Sequence, residues 1–119
     1  MVIVDTSKTG LSMVFPIDYQ RHIFEKISSD DTEYTSKEVY DLCIEDGFRV
    51  SRASVINFLN ALSEEGWLTK NEEYGKGGLH GVYSRNYTIQ QFWKQVLTTT
   101  YNKIVEASTG GTVEDIKTV

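Results

Sequence analysis

Few side chains in this 119-residue chain have the type and spacing that catalysis or metal binding demands. The only histidines, His22 and His80, lie far apart in sequence, and no cysteine or carboxylate stands at ligand spacing around both. No metal is therefore expected. The acidic pairs Asp30-Asp31, Glu64-Glu65 and Glu72-Glu73 are sequence neighbours. Neighbours on a helix or strand point in different directions, which suits solvated charge rather than an acid–base couple. No serine sits in a nucleophile-elbow pattern. Cys43, the single cysteine, cannot form an internal disulfide and falls on an apolar helical stripe. It reads as a buried thiol in a cytoplasmic chain. No enzyme activity and no cofactor are expected.

The stretch with most chemical promise is "EEYGKGGLHGVYSR", residues 72–85, where Gly75, Gly77, Gly78 and Gly81 accompany Lys76. A phosphate loop of the G-x-x-x-x-G-K-[ST] type fails here: position 70 is Lys and position 77 is Gly. The dinucleotide pattern G-x-G-x-x-G fails by one residue. Both motifs also lead into a helix, whereas "WLTKNE" before this loop and "VYSRNY" after it read as strands. The glycines then serve a hairpin, where positive φ comes without steric cost.

Three helices precede that hairpin. "DYQRHIFEKISS" sets Tyr19, Ile23 and Ile27 at fourfold spacing with Phe24 beside them, and Asp18 is the expected N-cap. "TSKEVYDLCIEDG" opens with Thr35 and Glu38 in capping-box spacing, turns Val39, Leu42 and Cys43 inward, and ends at Gly47. "SRASVINFLNALSEEG" runs from Ser51 as N-cap to Gly66. On it Val55, Leu59 and Leu62 share one face, with Phe58 beside them.

Three helices followed by a strand–loop–strand are the parts of a winged helix-turn-helix: α+β, mainly α. In that arrangement the third helix presents its outward N-terminal side to base edges in the DNA major groove. The residues so placed are Arg52, Ala53, Ser54 and Asn57, with Asn60 a turn later. Arg can pair with guanine, Asn with adenine, and Ala can touch a thymine methyl. The hairpin wing follows the phosphate backbone or the minor groove, with Lys70, Lys76, His80 and Arg85 as donors. Lys37 and Arg49 can brace phosphates beside the second and third helices.

Charge is unevenly spread around the total of −5. Residues 1–46 carry −6, residues 47–94 carry +2 and residues 95–119 carry −1. The basic segment is the one that holds the third helix and the wing, the footprint expected of a DNA-binding unit. The acidic first third could instead meet a protein partner. No apolar run approaches the length of a membrane span. Residues 1–17 form an N-terminal arm in which "MVIV" and "MVFP" could be short strands or fold onto a partner. Residues 18–88 form the winged helix-turn-helix unit, and residues 108–119 a flexible tail. Residues 89–107 carry Ile89, Phe92, Trp93, Val96, Leu97, Tyr101, Ile104 and Val105 at helical intervals, a stripe longer than packing on one small domain needs.

Residues 35–87 contain a recognisable series: Thr35-Ser36-x-Glu38-Val39, Ser51, Leu59-x-x-Leu62-x-x-x-Gly66-x-Leu68, then Val82-Tyr83-x-x-Asn86. This series resembles the winged-helix domain of penicillinase-repressor-type regulators, the BlaI/MecI/CopY group. The resemblance covers about half the chain. It implies a homodimeric cytoplasmic repressor of palindromic double-stranded DNA sites. It also implies that the C-terminal helix makes the dimer, through Phe92, Trp93, Val96, Leu97, Tyr101, Ile104 and Val105. The group's usual basic residue near Ala61 is missing here, as is the C-terminal cysteine motif of its copper-responsive members, so neither an operator sequence nor a copper response carries over. Two other readings stay open: a winged helix used as a protein-interaction module, and single-stranded nucleic-acid binding through Tyr74, Tyr83 and Tyr87.

Overall fold

A computed structural model of the chain describes residues 4–75 and 78–107. Helix α1 spans Asp18–Ser28, α2 Ser36–Glu45, α3 Arg52–Glu64 and α4 Ile89–Ala107. Strand β1 is Tyr34–Thr35, β2 Leu68–Gly75 and β3 Gly78–Arg85. The sheet is antiparallel, in the order β1-β3-β2. The chain is therefore mainly helical with one small sheet, as its sequence leads one to expect.

Local chemistry sets most of the boundaries. Thr35 Oγ1 accepts the Glu38 N–H at 3.1 Å while Glu38 accepts the Thr35 N–H at 3.0 Å, completing the capping box of α2. Ser51 Oγ accepts the Ser54 N–H at 3.1 Å and caps α3. Gly47 and Gly66, both at φ +87°, end α2 and α3. The residue after each glycine bonds back into its helix, Phe48 N–H to Cys43 C=O and Trp67 N–H to Leu62 C=O, both at 2.9 Å. Asp18 departs from expectation. It is the first helical residue, Ile17 precedes it with no side-chain cap, and the Asp18 carboxylate accepts the Tyr19 N–H at 2.7 Å.

The core forms where the three helices, the base of the hairpin and the first turns of α4 converge. Ile23, Ile27, Cys43, Val55, Leu59, Leu62 and Phe92 are its most enclosed side chains. The preceding segment joins the same core. Phe15 is buried against Phe24 at 4.9 Å and meets Phe58 edge-on at 5.6 Å. The Phe15 carbonyl accepts Arg21 Nη1 at 2.8 Å. Residues 4–17 contain no strand; a short 3₁₀ turn, Gly10–Met13, delivers Val14 and Phe15 inward. This part of the chain therefore folds onto its own domain.

Candidate nucleic-acid interface

Helix α3 is two-sided. Val55, Phe58, Leu59 and Leu62 are buried, while Arg52, Ala53 and Asn57 are exposed on the other side. Arg49, in the α2–α3 turn, is also exposed. Arg49, Arg52 and Asn57 have no side-chain partner among the described residues, so their donors are open to an incoming molecule. Lys37 is exposed at the start of α2, with its Nζ 3.9 Å from Asp41.

Two of the expected base-reading residues have other commitments. Ser54 is half-buried, and its hydroxyl accepts the Ser51 hydroxyl at 2.9 Å. Asn60 is half-buried too, and its amide oxygen accepts the Tyr83 phenol at 2.8 Å and Lys70 Nζ at 3.2 Å. Asn60 thus fastens the wing to the reading helix. Tyr83 is buried, and Lys70 lies over its ring, 5.7 Å from the centroid.

The hairpin register explains the glycines. Gly75 pairs with Gly78, which stands at φ +117°; Lys76, an expected wing donor, lies outside the described residues. Gly81 leaves room for the fastening. A Cβ there would stand 2.9 Å from Lys70 Cε and 3.5 Å from Tyr83 Oη. His80 is exposed and pairs across the strands with Glu73.

Arg85 requires a correction. It pairs with Leu68 at the base of the hairpin, far along the ribbon from the turn. Its Nε donates to Asp31 at 2.9 Å and its Nη1 to the Ser28 carbonyl at 2.8 Å. It therefore closes the end of α1 and is not a wing-tip donor. The tip displays Tyr74, 89% exposed, opposite Leu79, 50% exposed, with Glu72 and Glu73 just before them. Of the three tyrosines named for base stacking, only Tyr74 is open. Tyr83 is buried, and Tyr87 sits edge-on to Trp67 at 5.7 Å.

Helix α4 also divides. Phe92 is fully buried, 4.5 Å from Phe24 and 4.7 Å from Trp67, and Val96 is buried beside it. These two residues belong to the chain's own core, which corrects their expected place on a dimer surface. Trp93 is half-buried against Phe92. Leu97 (69% exposed), Tyr101 and Ile104 form an outward apolar stripe, and Val105 is half-buried. No helix among the described residues is long and apolar enough to cross a membrane.

Three helices, a short strand crossing to a two-stranded ribbon, and a helix pair whose second member turns an open polar side outward define a winged helix. Among solved structures, a PadR family transcriptional regulator from Eggerthella lenta DSM 2243 is similar over 81% of this chain and 86% of its own, with a TM-score of 0.50 and 10% identity. The zinc uptake regulator FurB from M. tuberculosis is similar over 59% of this chain and 52% of its own (TM-score 0.48, 17% identity). The ferric uptake regulator from Pseudomonas aeruginosa with manganese is similar over 56% and 48% (TM-score 0.47, 20% identity). This chain spans about half the length of those two uptake regulators. No family model matches the chain, and no curated protein does.

Proposed function

We propose that the chain is a non-enzymatic, sequence-specific double-stranded DNA-binding regulator of transcription that acts in the cytoplasm as a homodimer. The observation that carries this reading is the open side of α3. Arg52, Ala53 and Asn57 stand exposed with Arg49 beside them, in a fold shared with a transcriptional regulator. Arg52 and Asn57 read bases; Arg49, Lys37, Lys70 and Lys76 hold phosphates, with His80 beside the wing tip. Asn60 and Tyr83 fix the wing's angle to α3. The outward stripe of α4, Leu97, Tyr101 and Ile104 with Trp93 at its root, pairs two copies. The resemblance to penicillinase-repressor-type regulators makes repression the direction we propose.

Selection of bound duplexes from a random pool tests this, alongside a mass measurement in solution. The expected result is an enriched site with two-fold symmetry, its half-sites about one duplex turn or a multiple of it apart, and a mass of two chains. A second reading, a winged helix that docks a protein, draws on the wing tip. Tyr74 and Leu79 form an exposed apolar pair beside Glu72 and Glu73, which repel phosphate. An unenriched pool, with no salt-dependent retention on a DNA column, would favour that second reading.

A further inference from the structure

A groove of about 470 Å³ lies between α3 and the segment that leads into α1. Small-molecule sites run from about 300 to 1,000 Å³. From α3 come Phe58, Ala61 and Leu62, three and four residues apart and so on one side of the helix. From the leading segment come Met13, Phe15 and Pro16. Phe15, Phe58 and Leu62 are buried and form the floor, while Ala61 and Pro16 are exposed at the rim.

The polar groups beside this floor already have partners. Asp5 N–H donates to Met13 C=O at 2.6 Å, and Val14 and Phe15 N–H donate to Leu11 C=O at 3.0 and 2.8 Å. The Ser12 hydroxyl donates to the Thr9 carbonyl. Asp5 Oδ1 accepts the Ser7 hydroxyl at 2.6 Å and the Ser7 N–H at 2.9 Å. The hydroxyl bond first, and the N–H bond second, hold the Asp5 carboxyl below the usual carboxylate range, so it is ionised at neutral pH. Glu65, the other carboxylate of the lining, accepts the Trp67 indole N–H at 3.1 Å. No Lys, Arg or His is among the described residues that line the groove.

We propose that this groove binds a neutral, compact small molecule with a hydrocarbon body. A polar body would lose its hydrogen bonds to water against an aromatic and aliphatic floor that offers none. An anionic group would meet two carboxylates and no cation. A cation would find both carboxylates already partnered, with Asp5 in open solvent where a pair is worth little. Affinity therefore comes from apolar surface removed from water. Met13, unbranched and half-buried, can adapt its side chain to the shape of the guest.

The groove is separate from the reading side of α3. At 100° per residue, Ala53 and Asn60 lie about 140° and 160° around the helix from Phe58. The binding itself does not rest on the regulator reading. On that reading it gains a consequence, because the ligand would tie the leading segment to the last turns of the helix that enters DNA.

The test is titration of the full chain, without DNA, with four cages of one shape: adamantanol, adamantylammonium, adamantanecarboxylate and hexamethylenetetramine, whose cage carries nitrogens. Affinity is followed by calorimetry, and the site by NMR contacts between the ligand and the Met13 and Ala61 methyl groups. Adamantanol should bind tightest, the carboxylate weakest of the three hydrocarbon cages, and hexamethylenetetramine not at all. Contacts to both methyl groups should appear. Ala61→Trp puts an indole over the groove from an exposed position. It should fold as the wild type does, by circular dichroism, and lose adamantanol binding. Should that variant misfold, the ranking and the methyl contacts on the wild type decide alone. No binding of adamantanol at the limit of its solubility, tighter binding of either charged cage, or equal binding of hexamethylenetetramine would overturn the proposal. So would contacts away from both methyl groups, or wild-type affinity in folded Ala61→Trp. A solution mass that falls as adamantanol is added would put a second copy in the groove and overturn it too.

Discussion

At the scale of single residues, direction matters more than type. Arg85 and Lys70 are both cations of the hairpin, yet one closes α1 and the other is held beside α3. Replacing Arg85 with Ala removes its bond to the Ser28 carbonyl and its pair with Asp31. It should cost about 1–2 kcal/mol of stability, chiefly through the less exposed Ser28 contact. Chemical denaturation checks this, and binding to random duplex should stay unchanged. Tyr83→Phe leaves Asn60 with a weaker hold on the wing and should cost about 1 kcal/mol. Cys43 offers a third check. Burial first, and the Asp46 carboxylate second, push its thiol above the ordinary value. A thiol reagent at neutral pH should label it only as the chain unfolds. None of these positions betrays its partner in the sequence. Asn60 shares the outward side of α3 with Asn57 by spacing alone, and only the Lys70–Tyr83 register shows that its oxygen is already taken.

At the scale of elements, the local signals were the readable ones. The capping box of α2, the Ser51 cap of α3 and the glycines that end both helices act within a few residues of themselves. Strand β1 left no such trace. Two residues cannot show a period, and Tyr34–Thr35 is a strand only because β3 lies beside it. The 4–17 segment was unreadable for the same reason, since Phe15 finds its place among aromatics from α1, α3 and α4. The stripe of α4 was visible but wider than one surface, and packing split it in two. This division is testable. Phe92→Ala should destabilise the fold by about 3–5 kcal/mol in a denaturant melt. Leu97→Glu with Tyr101→Glu should leave the melt of the monomer nearly unchanged while halving the mass measured in solution.

At the scale of the whole molecule, the net charge of −5 sets a condition on DNA binding. Attraction to phosphate must come from a few placed cations rather than from the overall field. With Lys37, Arg49, Lys70 and Lys76 each holding a phosphate in both of two copies, log K against log salt should fall with a slope of about −7. A shallower line would mean that fewer of these side chains reach the backbone.

The claim that the open side of α3 enters a DNA groove is tested most directly by one substitution on two duplexes. Affinities of the wild type and of Asn57→Ala are measured at one salt concentration on the selected site and on a scrambled duplex. The expected result is a loss of about 1–3 kcal/mol on the selected site and none on the scrambled one. Equal affinities of the two proteins for the selected site, or an equal loss on both duplexes, would contradict it.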